Sequence, residues 1–239
     1  MNPENPYIKP AAIIALGFVL SAALGAWTFY SARSMDNVLS VTGSAKQAVT
    51  ADSVKWTLTI TRKVGEEGIP NGYTQIARDA TAIQAFLKTN GVLDEQVTLQ
   101  PTALDEVYRS DGYPREYNVR QNIVVQSKDV KAIDALSKRV SELSAKGIFV
   151  TGNWLEFYVT TLPELRVALL GEAIKDAKAR AVEIAKAGGQ SVGSLKSASS
   201  GVVQVLAPNS IDVSDYGSYD TQSIEKEVMV TARATFFVR

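Results

Sequence analysis

The sequence contains no cysteine and no histidine among its 239 residues. Without cysteine, the chain can form no disulfide, thiolate nucleophile, iron–sulfur cluster or cysteine zinc site. Without histidine, it lacks the usual proton shuttle near neutral pH and the commonest metal ligand. A Ser-His-Asp triad, a Cys-His dyad and a histidine metal site are therefore excluded within this chain. The absence of thiols leaves the compartment open, because such a chain tolerates oxidising and reducing surroundings alike.

Net charge is also absent, because 25 basic residues balance 25 acidic ones. Phosphate binding needs clustered Lys and Arg, so we expect no nucleic-acid partner. The length is sufficient for one large domain or two small ones. The hydrophobic fraction of 46% is ordinary for a globular protein.

The N-terminal segment contains a long uncharged run at residues 11–30, AAIIALGFVLSAALGAWTFY. As a helix this run would span about 30 Å, the thickness of a bilayer hydrocarbon core. Trp27, Phe29 and Tyr30 lie at its C-terminal end, where interfacial aromatic residues are expected. The run predicts a transmembrane helix that contacts the lipid bilayer, with residues 1–10 as a cytoplasmic tail and residues 31–37 as a polar linker.

A cleaved signal peptide is the alternative for this segment. Ala11 to Leu20 would be its apolar core, and the small residues Ala23 and Gly25 suit a signal peptidase. The uncleaved anchor is preferred because the apolar character continues to Tyr30. Both alternatives send the rest of the chain across the membrane.

Period-two alternation marks several strands in the remaining chain. We expect a first strand at residues 38–42 and others at 97–100, 148–160 and 192–206. The clearest alternation is that of the apolar residues Val54, Trp56, Leu58 and Ile60, and again of Val228, Val230, Ala232, Ala234 and Phe236. Residues 117–126 return towards the segment around Val107, so a β-hairpin is predicted, with turn residues 110–114 at its tip.

Helical spacing of apolar residues predicts three further helices. In the first, Asn71-Gly72 would form the N-terminal cap and Asn90-Gly91 the end. Asp129 would cap the second, which would run past Leu143 to Gly147. The third would follow the capping-box residues Thr161 and Glu164 and end at Gly188-Gly189. Its predicted apolar stripe is Leu170, Ile174, Ala177, Ala181 and Ile184. The order of elements predicts an α+β fold with a mainly antiparallel sheet and about three helices, preceded by the transmembrane helix.

Residues 41–52 and residues 173–193 are two segments that resemble the SIMPL-domain family. Val41-Thr42-Gly43-Ser44-Ala45, followed by residues 49–52, is similar to the family's opening Val-x-Gly-x-Gly and Pro-Asp, with Ala45 and Ala51 in place of the second Gly and the Pro. Residues 173–193 resemble its long helix, with the Asp-Ala-x-x-(Arg)-Ala and Ala-x-x-x-Gly pattern. The resemblance spans about residues 38–239, which we take as one extracytoplasmic SIMPL-like domain.

The resemblance implies a cell-envelope protein, in some members a ring- or cage-like homo-oligomer, with reported links to envelope or oxidative stress. It implies no catalytic residues. The matching positions are interpreted as architecture: Gly43 and Gly188 permit turns, Asp52 caps a turn and Arg180 pairs with Asp176. Location in the bacterial inner membrane, with the domain in the periplasm or outside the cell, follows from the resemblance together with the anchor.

Other candidate sites favour structural interpretations. The pairs Glu66-Glu67 and Asp105-Glu106 are poor acid/base dyads, because adjacent strand residues point to opposite faces. Asp212, Asp215 and Asp220 do not have the spacing of an EF-hand, so a loop is preferred to a calcium site. Gly188-Gly189 ends a helix, whereas a phosphate site opens one. Tyr108, Tyr113 and Tyr117 flank the hairpin tip and suit either a protein interface or hairpin packing.

We therefore expect no catalytic, cofactor-binding or metal-binding residues. The favoured function is a non-enzymatic, membrane-anchored protein that assembles with itself through strand edges and the hairpin. A binding module for a small ligand, lipid or envelope protein is the alternative. An enzyme would have to work with carboxylates, Lys, Tyr or Ser alone.

Overall fold

The computed structural model describes residues 8–34, 37–108 and 115–239. Its first helix, α1 (Ile8–Ser34), is longer at both ends than the predicted residues 11–30, because the flanking residues continue the helical turn. The helix therefore includes residues 31–34 of the predicted linker, and the first strand begins at Val38 as predicted. Within α1, Ile13–Ser31 is long and apolar enough to cross a membrane, and none of it is buried.

The rest of the chain alternates strands and helices as predicted, which confirms the α+β class. The strands are β1 (Val38–Thr50), β2 (Ser53–Gly65), β3 (Val97–Leu99), β4 (Ala103–Val107), β5 (Glu116–Ser127), β6 (Val150–Tyr158), β7 (Val192–Leu206), β8 (Ser218–Tyr219) and β9 (Glu225–Val238). The helices are α2 (Ile69–Thr89), α3 (Val130–Ser137), α4 (Ser141–Ser144) and α5 (Leu162–Ala187).

These elements form two compact units. The first comprises Met1–Ala45, Leu170–Gly201 and Val230–Arg239, and the second comprises Lys46–Leu169 and Val202–Met229. The strands fall into a five-stranded sheet with the order β3-β5-β2-β6, in which β4 also pairs with β5, and a four-stranded sheet with the order β1-β9-β7-β8.

The five-stranded sheet lies wholly in the second unit and its pairs are antiparallel. One of its faces carries the core, in which the alternating residues of β2 pack with α2 and α3. Val54, Trp56, Leu58 and Ile60 are at most 1% exposed, as their spacing predicted. Arg62 continues the same alternation, and its guanidinium binds both carboxylate oxygens of Asp79 on α2.

Two helix boundaries differ from the predictions. Helix α2 begins at Ile69, with Pro70 in the first turn where a missing N–H is tolerated. Gly72 therefore does not cap the helix and lies buried within it. The helix capped by Asp129 is interrupted after Ser137, whose hydroxyl donates to the carbonyl of Asp134, a local bond that competes with helical hydrogen bonding.

The first unit has a small core of short side chains. Val41 of β1, Ala177 and Ala181 of α5, and Ala234 and Phe236 of β9 form it. The predicted stripe of α5 is confirmed at Ala177 and Ala181 but wrong at Ile184, which is 52% exposed, whereas Ala173 and Ala185 are buried. Small residues face inwards here because β1 approaches α5 at Gly43, where a Cβ would overlap the backbone of Ala173 and Ala177.

The four-stranded sheet contains one strand that was not predicted. Strand β8 lies in the segment interpreted as a loop and runs parallel to β7, with Gln204 opposite Ser218. Strand β9 carries the predicted alternation, since Val228, Val230, Ala232, Ala234 and Phe236 are all at most 2% exposed. Residues 207–217 between β7 and β8 form a loop, which we call the apolar loop because it exposes Ile211, Val213 and Tyr216.

Candidate functional site

The acidic pairs singled out in the sequence lie on the surface. Glu66 and Glu67 begin a short 3-10 turn rather than continuing a strand, and they line an open depression with Arg115. Asp105 on β4 forms an ion pair with Arg120 at 3.1 Å. All four carboxylates are exposed, and Asp105 and Glu106 pair with arginines, so they do not form a converging acid/base dyad.

Of Asp212, Asp215 and Asp220, which were considered as a calcium site, Asp220 is held by hydrogen bonds and an ion pair. Its carboxylate oxygens accept hydrogen bonds from the backbone N–H groups of Gln222 and Ser223, at 2.9 and 3.1 Å. Oδ2 also lies 3.4 Å from the ammonium of Lys226. Within residues 8–34, 37–108 and 115–239, no group of three or more acidic residues could hold a metal ion.

The tyrosine group at the hairpin is only partly described. Strands β4 and β5 pair antiparallel, which confirms the hairpin. Tyr108 is 91% exposed, Tyr117 lies on β5 opposite Val64, and Tyr113 lies outside the described residues together with the turn.

The residues carried by the family resemblance are architectural. Arg180 Nε lies 2.8 Å from the Asp176 carboxylate, which confirms the predicted pair. The backbone N–H of Ser44 also donates to Asp176, at 2.8 Å, and these two hydrogen bonds lower the pKa of that carboxyl. Asp52 accepts from the backbone N–H and the hydroxyl of Thr160. Gly43 was predicted to permit a turn, but it lies inside β1.

The predicted helix end at Gly188-Gly189 is confirmed. Helix α5 ends at Ala187, and the N–H of Gly188 donates to the carbonyls of Ile184 and Ala185. Gly189 has φ +72°, a left-handed conformation that favours glycine. This segment therefore satisfies helix carbonyls and does not present N–H groups to a phosphate.

A buried lysine, Lys226, lies near the start of β9 in the second unit. The side chain of Lys226 is fully buried, and its Nζ donates to the carbonyl of Asp220 at 2.5 Å. Burial lowers the pKa of Lys226, against the opposing effect of Asp220. For Asp220, burial opposes ionisation, but hydrogen bonds from Gln222 and Ser223 and the charge of Lys226 outweigh it and lower the pKa.

A tyrosine extends this cluster towards β6. The hydroxyl of Tyr219 accepts from the backbone N–H of Val159 at 2.9 Å, and its ring lies 5.9 Å from that of Tyr158. The Tyr158 hydroxyl donates to Glu156, whose other oxygen binds Lys55 at 2.8 Å. The hydrogen bond from Lys55 lowers the pKa of Glu156, and burial raises the pKa of Tyr158.

This cluster joins β8 and β9 to the end of β6. The Lys226 amine has no exposed surface. Its neighbourhood is closed by backbone bonds, from Asp220 N–H to Val205 and from Phe157 N–H to Thr221. We name it the lysine clasp, comprising Lys226, Asp220 and Tyr219. The lysine clasp holds residues 219–226, the segment that follows the apolar loop.

The apolar loop projects hydrophobic side chains into solvent. Ile211 is 90% exposed, Val213 is 61% exposed and Tyr216 is 97% exposed. Next to them, the buried Gln204 side chain donates to the carbonyl of Ser214 at 2.5 Å, so the base of the loop is tied to β7. A fixed loop with three exposed apolar side chains is a candidate interaction surface.

The sequence analysis interpreted the segment around Asp212, Asp215 and Asp220 only as a loop. The signal that could have found the surface is the placement of Ile211, Val213 and Tyr216 among Asp and Ser residues, without a period that would bury them. The lysine clasp gave a weaker signal. Lys226 occupies an inward position of the period-two pattern that Val228 and Val230 continue.

A family model described as "SIMPL: Protein of unknown function (DUF541)" matches residues 39–236. The chain belongs to the SIMPL family. The matched part of this SIMPL protein runs from β1 to β9 and leaves out α1. It includes Gly43, Asp176, the lysine clasp and the apolar loop. No curated protein matches the chain.

Proposed function

We infer that this SIMPL protein is a non-enzymatic, membrane-anchored protein whose extracytoplasmic part associates with further copies of itself through the apolar loop. The observation that carries this proposal is the exposure of Ile211, Val213 and Tyr216 within six residues. Apolar side chains grouped on a protein surface often mark a site of association with another protein.

The N-terminal helix supports the anchored part of the proposal. It contains a 19-residue span that is long and apolar enough to cross a membrane. The family assignment and this helix fit an extracytoplasmic location. With the N-terminus in the cytoplasm, the domain would lie in the periplasm or outside the cell. A role in envelope or oxidative stress rests on the family resemblance alone.

A second copy is the partner that the chain's electrostatics permit. Because the chain carries no formal net charge, copies do not repel one another at long range. Anchoring confines them to one surface, which raises their effective concentration and strengthens a contact that would be weak in solution. A small apolar surface such as the loop can therefore suffice for association between copies that are anchored in one membrane.

The test compares the size of full-length particles in lipid nanodiscs or mild detergent by sedimentation. The wild-type chain should form particles with several copies. The triple variant Ile211→Ser, Val213→Ser, Tyr216→Ser should dissociate towards a single copy. Val167→Ser is the matched control, since Val167 is 72% exposed but lies on α5, away from the loop in sequence. A wild-type particle with one copy at micromolar concentration would defeat the proposal.

A further inference from the structure

The five-stranded sheet has a second face, which we call the open face. On β2 it is formed by the residues that alternate with the core, Lys55, Thr57, Thr59, Thr61 and Lys63. The register places Thr57 between Val124 and Trp154, and Thr59 between Asn122 and Gly152. Unlike the core face, it carries mainly hydroxyl and amide side chains, of which Thr57 and Thr61 are partly exposed and Thr59 is buried.

The indole of Trp154 lies over Gly152 on this face. A Cβ on Gly152 would overlap the benzene ring of Trp154, so the indole occupies the space above Gly152. The side chain is nevertheless 58% exposed. The ring is therefore packed against the strand at Gly152, while more than half of the residue's surface is open to solvent.

The polar groups around the ring form a connected layer. Thr59 donates to the amide oxygen of Asn122 at 2.8 Å, and the amide nitrogen of Asn122 donates to the side chain of Gln100 at 3.1 Å. The hydroxyls of Thr61 and Thr151 lie 2.8 Å apart. Such groups both donate and accept hydrogen bonds, so they suit a ligand that carries hydroxyl groups.

Charge on the open face is neutralised in pairs. Lys55 binds Glu156 at 2.8 Å, Lys63 binds Glu116 at 2.7 Å, and Arg120 binds Asp105 at 3.1 Å. Binding of a nucleic acid requires clustered cations that contact phosphates, and these cations are already paired. An aliphatic lipid surface would exclude water from the threonine and asparagine side chains, and their remaining donors and acceptors would then lack partners. The face therefore complements an uncharged, hydroxyl-rich molecule.

We propose that the open face binds a neutral glycan of β-1,4-linked pyranose sugars, with one sugar ring stacked on Trp154. Pyranoses with equatorial substituents have a flat face of polarised C–H bonds, which the negative face of an aromatic ring attracts. Their hydroxyl rim would meet the threonine and asparagine side chains of β2 and β5. This site is separate in sequence from the apolar loop, and it does not depend on self-association.

The test titrates the full-length protein in lipid nanodiscs with cellotetraose and with chitotetraose. Nanodiscs are used because sugar-headed detergents would compete. We expect a saturable change in tryptophan fluorescence and a heat of binding, with a dissociation constant of about 0.1–1 mM for at least one of the two. Maltotetraose, whose α-linkages do not present a flat ribbon, should bind at least about tenfold more weakly.

Variants separate stacking from other causes. Trp154→Ala should abolish the response. Gly152→Ala, which retains the indole but places a methyl group where the ring lies, should weaken binding by about tenfold. Tyr108→Ala, which removes another exposed aromatic residue, should leave binding unchanged. Thermal unfolding would show that each variant is folded.

Three results would overturn the proposal. One is the absence of saturable binding of either tetrasaccharide at about 10 mM, well above the expected dissociation constant. Another is binding that Trp154→Ala leaves unchanged in calorimetry. The third is a loss of particle size in Trp154→Ala without glycan binding by the wild type, which would make the face a contact between copies. The triple variant of the apolar loop should bind glycan normally, so failure of either proposal is recognised separately.

Discussion

Gly43 shows, at the scale of single residues, how a missing side chain sets the distance between two elements. Gly43→Ala would place a methyl group on the backbone of Ala173 and Ala177, so β1 and α5 would have to separate. We expect the free energy of unfolding to fall by about 1–3 kcal/mol, the usual range for overpacking. Thermal or denaturant unfolding of the full-length chain measures the effect.

Gly171→Ala is the matched control for this substitution. Gly171 lies on the same helix, and a Cβ there would meet no atom within 4 Å. Alanine should therefore stabilise the helix by about 0.5–1 kcal/mol. Equal effects of the two substitutions would contradict the close approach of β1 to α5.

Residue roles were predictable where a local pattern determines them. The Asp176–Arg180 pair followed from spacing of one helical turn, and the Asp129 cap from its position before an apolar run. The Arg62–Asp79 pair could not be predicted from a local pattern, because the two residues meet only after β2 and α2 pack together. Part of the α5 stripe was predicted wrongly, because the prediction included large apolar residues such as Ile184. The narrow space beside Gly43 accommodates alanine instead.

The segment between β8 and β9 shows, at the scale of elements, how a buried charge holds a loop. Asp220→Asn would leave the Lys226 ammonium buried without a carboxylate. We expect this to lower the free energy of unfolding by about 3 kcal/mol near neutral pH, as for other broken buried pairs. Backbone hydrogen exchange in residues 207–224 should accelerate, while exchange in α3 should not.

The pH dependence of this substitution has a defined sign. Burial already lowers the pKa of Lys226, and removal of the Asp220 charge lowers it further. As pH rises through that lowered pKa towards the ordinary value for lysine, the folded protein releases a proton that the unfolded chain keeps, so stability rises. The penalty of Asp220→Asn should therefore shrink in alkaline buffer. Asp215→Asn, at an exposed position in the apolar loop, should show neither effect.

The elements themselves were predicted well where one face is buried. Strands β2, β5 and β9 and the ends of α2 and α5 at Asn90 and Gly188 followed from alternation and from glycine positions. Strand β8 was missed because its two residues gain their strand conformation from pairing with β7, which no local pattern reveals.

Helix α1 decides, at the scale of the whole molecule, whether the protein stays attached to a membrane. We predict that it is retained, because its apolar span continues to Ser31, beyond the small residues at Ala23–Gly25. Intact-mass analysis of the membrane-extracted protein should find residues 11–30 still present, and alkaline washing should leave the protein in the membrane. A chain that begins just after Gly25 would show that the segment is a signal peptide.

Self-association through the apolar loop is the central claim, and site-specific photo-crosslinking in intact membranes tests it most directly. A benzophenone amino acid at position 216 replaces the most exposed residue of the loop, Tyr216. It captures whatever lies against the loop, whether the copies meet symmetrically or head to tail. The account predicts, on illumination, a covalent product of two copies of the chain, and the same label at position 167 should give none. Crosslinks at position 216 only to lipid or to a different protein, or no crosslink at all, would contradict it.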